Sequence, residues 1–308
     1  MAQLKYADCL VQKPGSFPPE LQGAGGSTGK DPVPGVKATH LMTADAAVQK
    51  GFFSVDCTWL WSGAAKGPVG DPHTHDFSHV IGLIGGRPED AQDLGGEIVV
   101  SLDGHDEVIT RNCLIFVPAG VVHGPILFKK INRPVFFITI AMTGAYTRKP
   151  AAAPKKPAAE KRYFLMDHTK EHFSVGADSK KAPPPPPRPM NLKSSRILHI
   201  EDDMVPGSFY VDFVWIWEGN GGAPAPEHTH DWTELLAMAG ADPSRPHDLG
   251  GEMSIMLGGE YLPTTKSTLV CIPAGLAHCP WEFHNIKSPT LVFSAGPQGM
   301  YSGSHKKE

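Results

Sequence analysis

Residues 71–80 read DPHTHDFSHV and residues 226–235 read PEHTHDWTEL. These phrases are two copies within one long register. His73 and His228 are 155 positions apart, as are His123 and His278. DLGGE at 93–97 and 248–252, and PAG at 118–120 and 273–275, keep the same spacing. FKKINRP (128–134) aligns without a gap on FHNIKSP (283–289), and DCTWLW (56–61) matches DFVWIW (212–217) after a one-residue slip. A register this long records a duplication, so any fold must be built twice. At 308 residues the chain is long enough for two cores.

Within each copy, short runs rich in Val, Ile, Phe and Trp alternate with Gly/Pro clusters, which is the pattern of strands and turns. CTWLW, EIVVSL, CLIFVP and VFFITIAM have the counterparts FVWIW, EMSIML, LVCIP and LVFSA. Helical periodicity is confined to one short candidate, TADAAVQKG (43–51). The fold class expected is all-β, two tandem sandwiches or barrels. The expected boundaries are a first domain at 1–147, a Pro/Ala/Lys linker at 148–160 and a second domain at 161–308. The first ~38 residues read as extended arm or loop, KKAPPPPPRP (180–189) as a polyproline surface arm, and the C-terminal tail as disordered.

Alternation along a strand puts His73 and His75 on one face, with Cα atoms about 6.6 Å apart. Both imidazoles then reach one ion at roughly 2.1 Å. A residue four positions further along a straight strand would lie about 13 Å away. The chain must therefore bend around 76–78 for His79 to join, and around 231–233 for Glu234. The remaining donors, His123 and His278, follow Pro-x-Gly turns on distant strands. Seven of the fifteen histidines fall at such positions, and burying an unpaired imidazole cluster is costly. Metal binding is therefore expected in each half.

GPVGDPHTHDFSHVIGLIG (67–85) and GAPAPEHTHDWTELLAMAG (222–240) resemble the first cupin motif, G-x5-H-x-H-x3-E-x5-G. PAGVVH and PAGLAH resemble the end of the second. The chain is thus similar to bicupins, a resemblance that implies two double-stranded β-helix (jelly-roll) barrels with a metal inside each. Carried over, the second ligand set is His228, His230, Glu234 and His278. The first is His73, His75 and His123, with His79 where the family has Glu. The opening glycine of the second motif is replaced by Asn112 and by Ser267.

The divergence has a chemical meaning. Three imidazoles and a carboxylate leave a divalent ion near +1, whereas four imidazoles leave +2 and attract an anion. Neither set contains sulfur, so Fe, Mn, Ni, Co, Zn and Cu(II) all suit the donors. Resemblance to redox cupins puts Fe or Mn first, with one divalent ion per half, and places Glu234 in a catalytic role. The implied function is an enzyme of dioxygenase or decarboxylase type acting on a small organic molecule. A storage or small-ligand-binding cupin and a sugar or sugar-phosphate isomerase are the alternatives.

Other features set limits. A net charge of −4 and a pI near 6.4 leave no basic stripe for nucleic acid. No signal-peptide core or run of about 18 apolar residues is present, so a cytoplasmic protein without a membrane partner is expected. The odd set of five cysteines reads as buried reduced thiols. Trp59/Trp61 and Trp215/Trp217 share a face and either line the pocket or pack the core. Glu97 and Glu252 read as surface carboxylates or as partners to the histidines, and Asp76 and Asp231 as structural hydrogen bonders pointing away from the ion. Association into homo-oligomers is expected from the cupin resemblance.

Overall fold

The alternating apolar runs become antiparallel ladders. A computed structural model describes residues 4–22, 32–167, 191–222 and 225–299. It divides into a unit of Lys13–His168 and a unit of Met1–Gln12 with Thr169–Glu308. Among the described residues the first holds an eleven-stranded sheet and the second a nine-stranded one.

Each sheet curls into two halves. In the first unit, Val36–Ala44, Ser54–Gly63, Val135–Ala141, His79–Ile84 and Cys113–Val117 are successive neighbours on one side. His105–Arg111, Asp93–Leu102 and His123–Ile131 form the other, and Gly63 opposite Ile131 joins them. The second unit repeats this order from Lys193–Ile200 to Thr290–Gly296. Inward side chains such as Leu60, Ile81, Ile115 and Phe137 fill the core between the halves.

The edge strands correct the expected boundaries. Phe164–Met166 pairs with Cys113–Val117, and Leu10–Val11 takes the equivalent edge of Thr268–Ile272. Leu10–Val11 therefore belongs with the second unit and not with the domain expected at 1–147. The stretch 148–160 is not a free linker either. Lys149–Pro150 pairs with His73–Thr74, and Ala158 N–H donates to Asp103 O at 3.2 Å. An unpaired sheet edge leaves backbone groups without partners, and each unit covers that edge with whichever segment the chain can bring to it. Residues 43–51 are likewise not a helix. Thr43 and Ala44 stay in the ladder opposite Asp56 and Val55, and Asp45 closes a single turn through Ala47 N–H and Val48 N–H. The polyproline arm and residues 300–308 of the tail lie outside the described residues, whereas its first residues are bonded, Tyr210 N–H donating to Gln298 O at 2.9 Å and Asp202 N–H to Gly299 O at 2.8 Å.

The Trp pairs pack and do not line the pocket. Trp59 and Trp61 stack at 5.1 Å, as do Trp215 and Trp217. Trp59 stands opposite Phe136, on the face away from the inward Leu60 and Phe137. All five cysteines are free and buried. Burial pushes the Cys113 and Cys279 thiols up to about 12, which keeps them protonated.

The structure also accounts for the motif departures. Asn112 Oδ1 accepts from Gly85 N–H at 2.7 Å, and its Nδ2 donates to Gly85 O and Ala91 O. Ser267 Oγ accepts from Gly240 N–H at 3.1 Å, at the same place in the second copy. Both side chains pin the strand end that closes the first motif. Asn112→Ala removes all three bonds from a fully buried site. It is expected to cost roughly 2–3 kcal/mol, or roughly 4–12 °C in thermal unfolding of a unit this size. Unchanged melting would refute that role.

Candidate metal centres

The H-T-H strand ends where the spacing argument required. His73–Thr74 is a short strand, the chain bends at 76–77, and His79 opens the next strand. The Pro-Ala-Gly turn then ties the two motifs together. Gly120 N–H donates to His75 O at 2.9 Å, and Gly275 N–H to His230 O at 2.6 Å. Both glycines sit at positive φ, +77° and +79°, a conformation that strains other residues. That turn delivers His123 opposite His73 and His278 opposite His228.

Backbone carbonyls fix the imidazoles. His73 Nδ1 lies 2.6 Å from Asp71 O, His75 Nδ1 2.5 Å from Thr147 O and His123 Nδ1 3.0 Å from Val121 O. In the second unit His228 Nδ1 faces Pro226 O at 2.8 Å and His278 Nδ1 faces Leu276 O at 2.9 Å. A carbonyl only accepts, so each Nδ1 carries the proton and each Nε2 turns a lone pair inward. The Nε2 atoms of His73, His75, His79 and His123 are buried without a hydrogen-bond partner in the protein. Buried unpaired acceptors converging on one point are the donor set of a cation.

The second group is His228, His230, Glu234 and His278, with four donor atoms within 4.8 Å of one another. Glu234 Oε2 lies 3.1 Å from His230 Nε2 and 2.9 Å from His278 Nε2. Tyr210 donates its hydroxyl to Glu234 Oε1 at 2.8 Å. Burial raises the Glu234 carboxyl, but His230 and His278 outweigh it and hold the group at about 2. Trp232 stacks on His230 at 4.1 Å.

The first group contains a residue the sequence reading missed. Its tight set is Glu20, His73, His75 and His123. Glu20 lies on a short 3-10 turn, Pro19–Leu21, within the arm expected to be loop. Leu21 is buried in the core and Phe17 packs against it, so the two anchor the arm and drive Glu20 inward. Glu20 Oε1 stands 3.4 Å from His75 Nε2, 3.7 Å from His79, 3.8 Å from His123 and 3.9 Å from His73. Tyr146 donates its hydroxyl to the same oxygen at 2.6 Å. Burial pushes this carboxyl up, yet the imidazoles of His123, His73 and His75 hold it well below the carboxylate range. Four imidazoles were expected to attract an anion, and the chain supplies its own. Glu20 has no counterpart in the duplicated register, so the repeat could not reveal it.

The remaining candidates lie elsewhere. Glu97 pairs with Lys129 at 3.0 Å, Asp76 pairs with Lys149 on the surface, and Glu252 stands opposite His284. Asp231 is exposed.

The pKa directions give a pH expectation for chelator-treated protein. Burial holds His79 and His123 below their ordinary 6.5, so below that pH the unfolded chain binds more protons and stability falls. Glu20, depressed below 4.5, adds stability that is present above 4.5 and lost as pH falls further. Asp56, raised by burial, acts in the opposite direction but is outnumbered, since Asp103 and Glu107 are also held below their ordinary values. The melting temperature of the Lys13–His168 unit should be level above about pH 6.5 and decline below it. A melting temperature that rises on acidification would contradict this sign.

Bacillus subtilis oxalate decarboxylase superposes at a TM-score of 0.50 and 12% identity. One point mutant covers 87% of this chain and 74% of its own. A structure used to assign the Mn(II) centres of that enzyme covers 88% and 75%. The fold is that of a bicupin. No family model and no curated relative matches the sequence. Within this fold the chain carries two buried His/Glu groups of metal-binding geometry.

Proposed function

We propose that the protein is a metal-dependent bicupin enzyme, with a divalent transition-metal ion at each group and a small organic acid as substrate class. The observation that carries the reading is the inward array of Nε2 lone pairs around a buried carboxylate, built in both copies. The donors are His73, His75, His79, His123 and Glu20 in one half, and His228, His230, Glu234 and His278 in the other. Manganese comes first, followed by iron, in part because the oxalate decarboxylase with this fold has Mn(II) centres. A bound ion would polarise a carboxylate and, where redox-active, support one-electron chemistry with dioxygen.

The protein's own residues would do the rest. Glu234, ionised at neutral pH, balances the ion's charge and can accept a proton beside it. Tyr210 fixes the carboxylate's orientation through its hydroxyl. Trp232 covers the His230 ring and keeps bulk water from that side. Decarboxylation and dioxygenation both use such a site. The five buried free thiols support a reducing, cytoplasmic setting.

The test is metal analysis of protein purified without chelator or nickel resin. Carbon dioxide release and oxygen uptake would then be measured against a panel of small carboxylates and phenols. Near-stoichiometric metal with turnover of one panel member is expected. Metal without turnover on any member would favour a non-catalytic binding cupin, and no metal would end the reading.

A further inference from the structure

We infer that the two centres divide the work of ligand binding. The Lys13–His168 centre is closed by Glu20 acting as an internal carboxylate ligand, while the second centre keeps positions for an external small carboxylate. This rests on the metal reading above.

The donor count differs between the copies. The second group offers four donors, His228, His230, Glu234 and His278. Among the described residues no second carboxylate joins it. An ion that prefers six ligands, such as Mn(II) or Fe(II), would there have two positions left for an external group. In the first unit the duplicated positions are all imidazoles, and His79 Nε2 lies 3.7 Å from the Glu20 oxygen that also meets His73, His75 and His123. Four imidazole nitrogens thus ring the Glu20 oxygen, and Glu20 comes from outside the duplicated register.

Glu20 occupies the place where an external carboxylate would bind. It is fixed there from two directions. Phe17 and Leu21 seat the arm in the core. Tyr146 donates to Oε1 at 2.6 Å, and its ring packs against His75 at 4.9 Å and His79 at 5.8 Å. The carboxylate is 2% exposed, and its second oxygen, Oε2, is buried without a protein partner. That pattern suits a carboxylate shared with a cation. A substrate carboxylate entering here would have to displace an anion the fold already holds in position, at effective concentrations no free ligand matches.

The contrast is chemical. His79 gave up the carboxylate of the duplicated motif, and the arm returned one on a different side of the centre. The overall charge of each loaded centre is then the same, near +1. The number of positions open to solvent-borne anions is not. The duplication has therefore produced one centre whose carboxylate position is taken by the chain's own Glu20 and one that can exchange a ligand there.

The experiment uses full-length protein in which one centre is disabled at a time. His228→Ala/His230→Ala leaves the first centre, and His73→Ala/His75→Ala leaves the second. Each is loaded with Co(II), whose visible spectrum reports the ligand set, and titrated with azide as the external anion. The protein retaining only the second centre should shift its spectrum on azide addition. The one retaining only the first should show at least tenfold weaker azide binding. Adding Glu20→Ala to that protein should preserve bound cobalt, since four imidazoles remain, and restore azide binding at least tenfold.

Equal azide binding at both centres with Glu20 intact would overturn the inference. So would no gain of azide binding on Glu20→Ala, or loss of cobalt from that variant, since Glu20 would then hold the ion and not merely fill a ligand position. Failure of every variant to take up cobalt would instead refute the metal reading itself.

Discussion

Replacing His228 and His230 together by alanine is expected to remove one metal ion per chain and leave the other in place. The two imidazoles supply half of the four-donor group. His228 is fixed by its Nδ1 contact to Pro226 O, so water cannot substitute with the same geometry. His278 and Glu234 would remain paired at 2.9 Å, which stabilises the metal-free site as a closed ion pair and opposes rebinding. Loss of a mere outer partner costs tenfold to hundredfold in metal affinity, and losing two direct donors should exceed roughly a hundredfold. Metal content by emission spectrometry should fall from about two ions to about one, with the sheet intact by circular dichroism. Retention of two ions per chain would show that these histidines are not donors.

The second large effect concerns the glycines that close the first motif in each copy. Gly240→Ala would place a Cβ inside the contact radius of the Asp248 carbonyl oxygen, 2.9 Å from its carbon. Gly85→Ala meets the Leu94 carbonyl in the same way, 2.6 Å from its carbon. Neither residue has positive φ, so the constraint is space and not backbone conformation. The obstacles are backbone atoms of a neighbouring segment and cannot rotate away, and the amides of both glycines are already pinned by Asn112 and Ser267. Overpacking of this kind costs about 3 kcal/mol or more, equivalent to roughly 6–12 °C in a unit of this size. Gly120→Ala is the control. Nothing lies within 4 Å of its Cβ, and only its φ of +77° is strained, at about 1–2 kcal/mol. Differential scanning calorimetry should rank Gly240 and Gly85 well above Gly120. The reverse order would mean that the motif glycines serve conformation and not close approach.

Much of this was legible before any coordinates. The offset of 155 positions fixed two copies of one architecture, because a duplicated register must fold the same way twice. Period-two alternation gave strands, and H-T-H on one face with a bend before residue 79 or 234 gave the convergence of ligands, since both follow from strand geometry within a few residues. Even the need for an anion near His79 followed from charge. What the local pattern could not contain was where an unrepeated segment would go. Leu10–Val11 completes the edge of Thr268–Ile272, more than two hundred residues away, because that edge has backbone groups to satisfy. Glu20 enters the first centre because Phe17 and Leu21 find a core in which to bury, and four inward imidazoles offset the cost of burying its charge. The sequence by itself determined the duplicated strands and seven histidines. Only the tertiary structure decided which carboxylate answers the four imidazoles, because that choice depends on long-range burial and not on spacing.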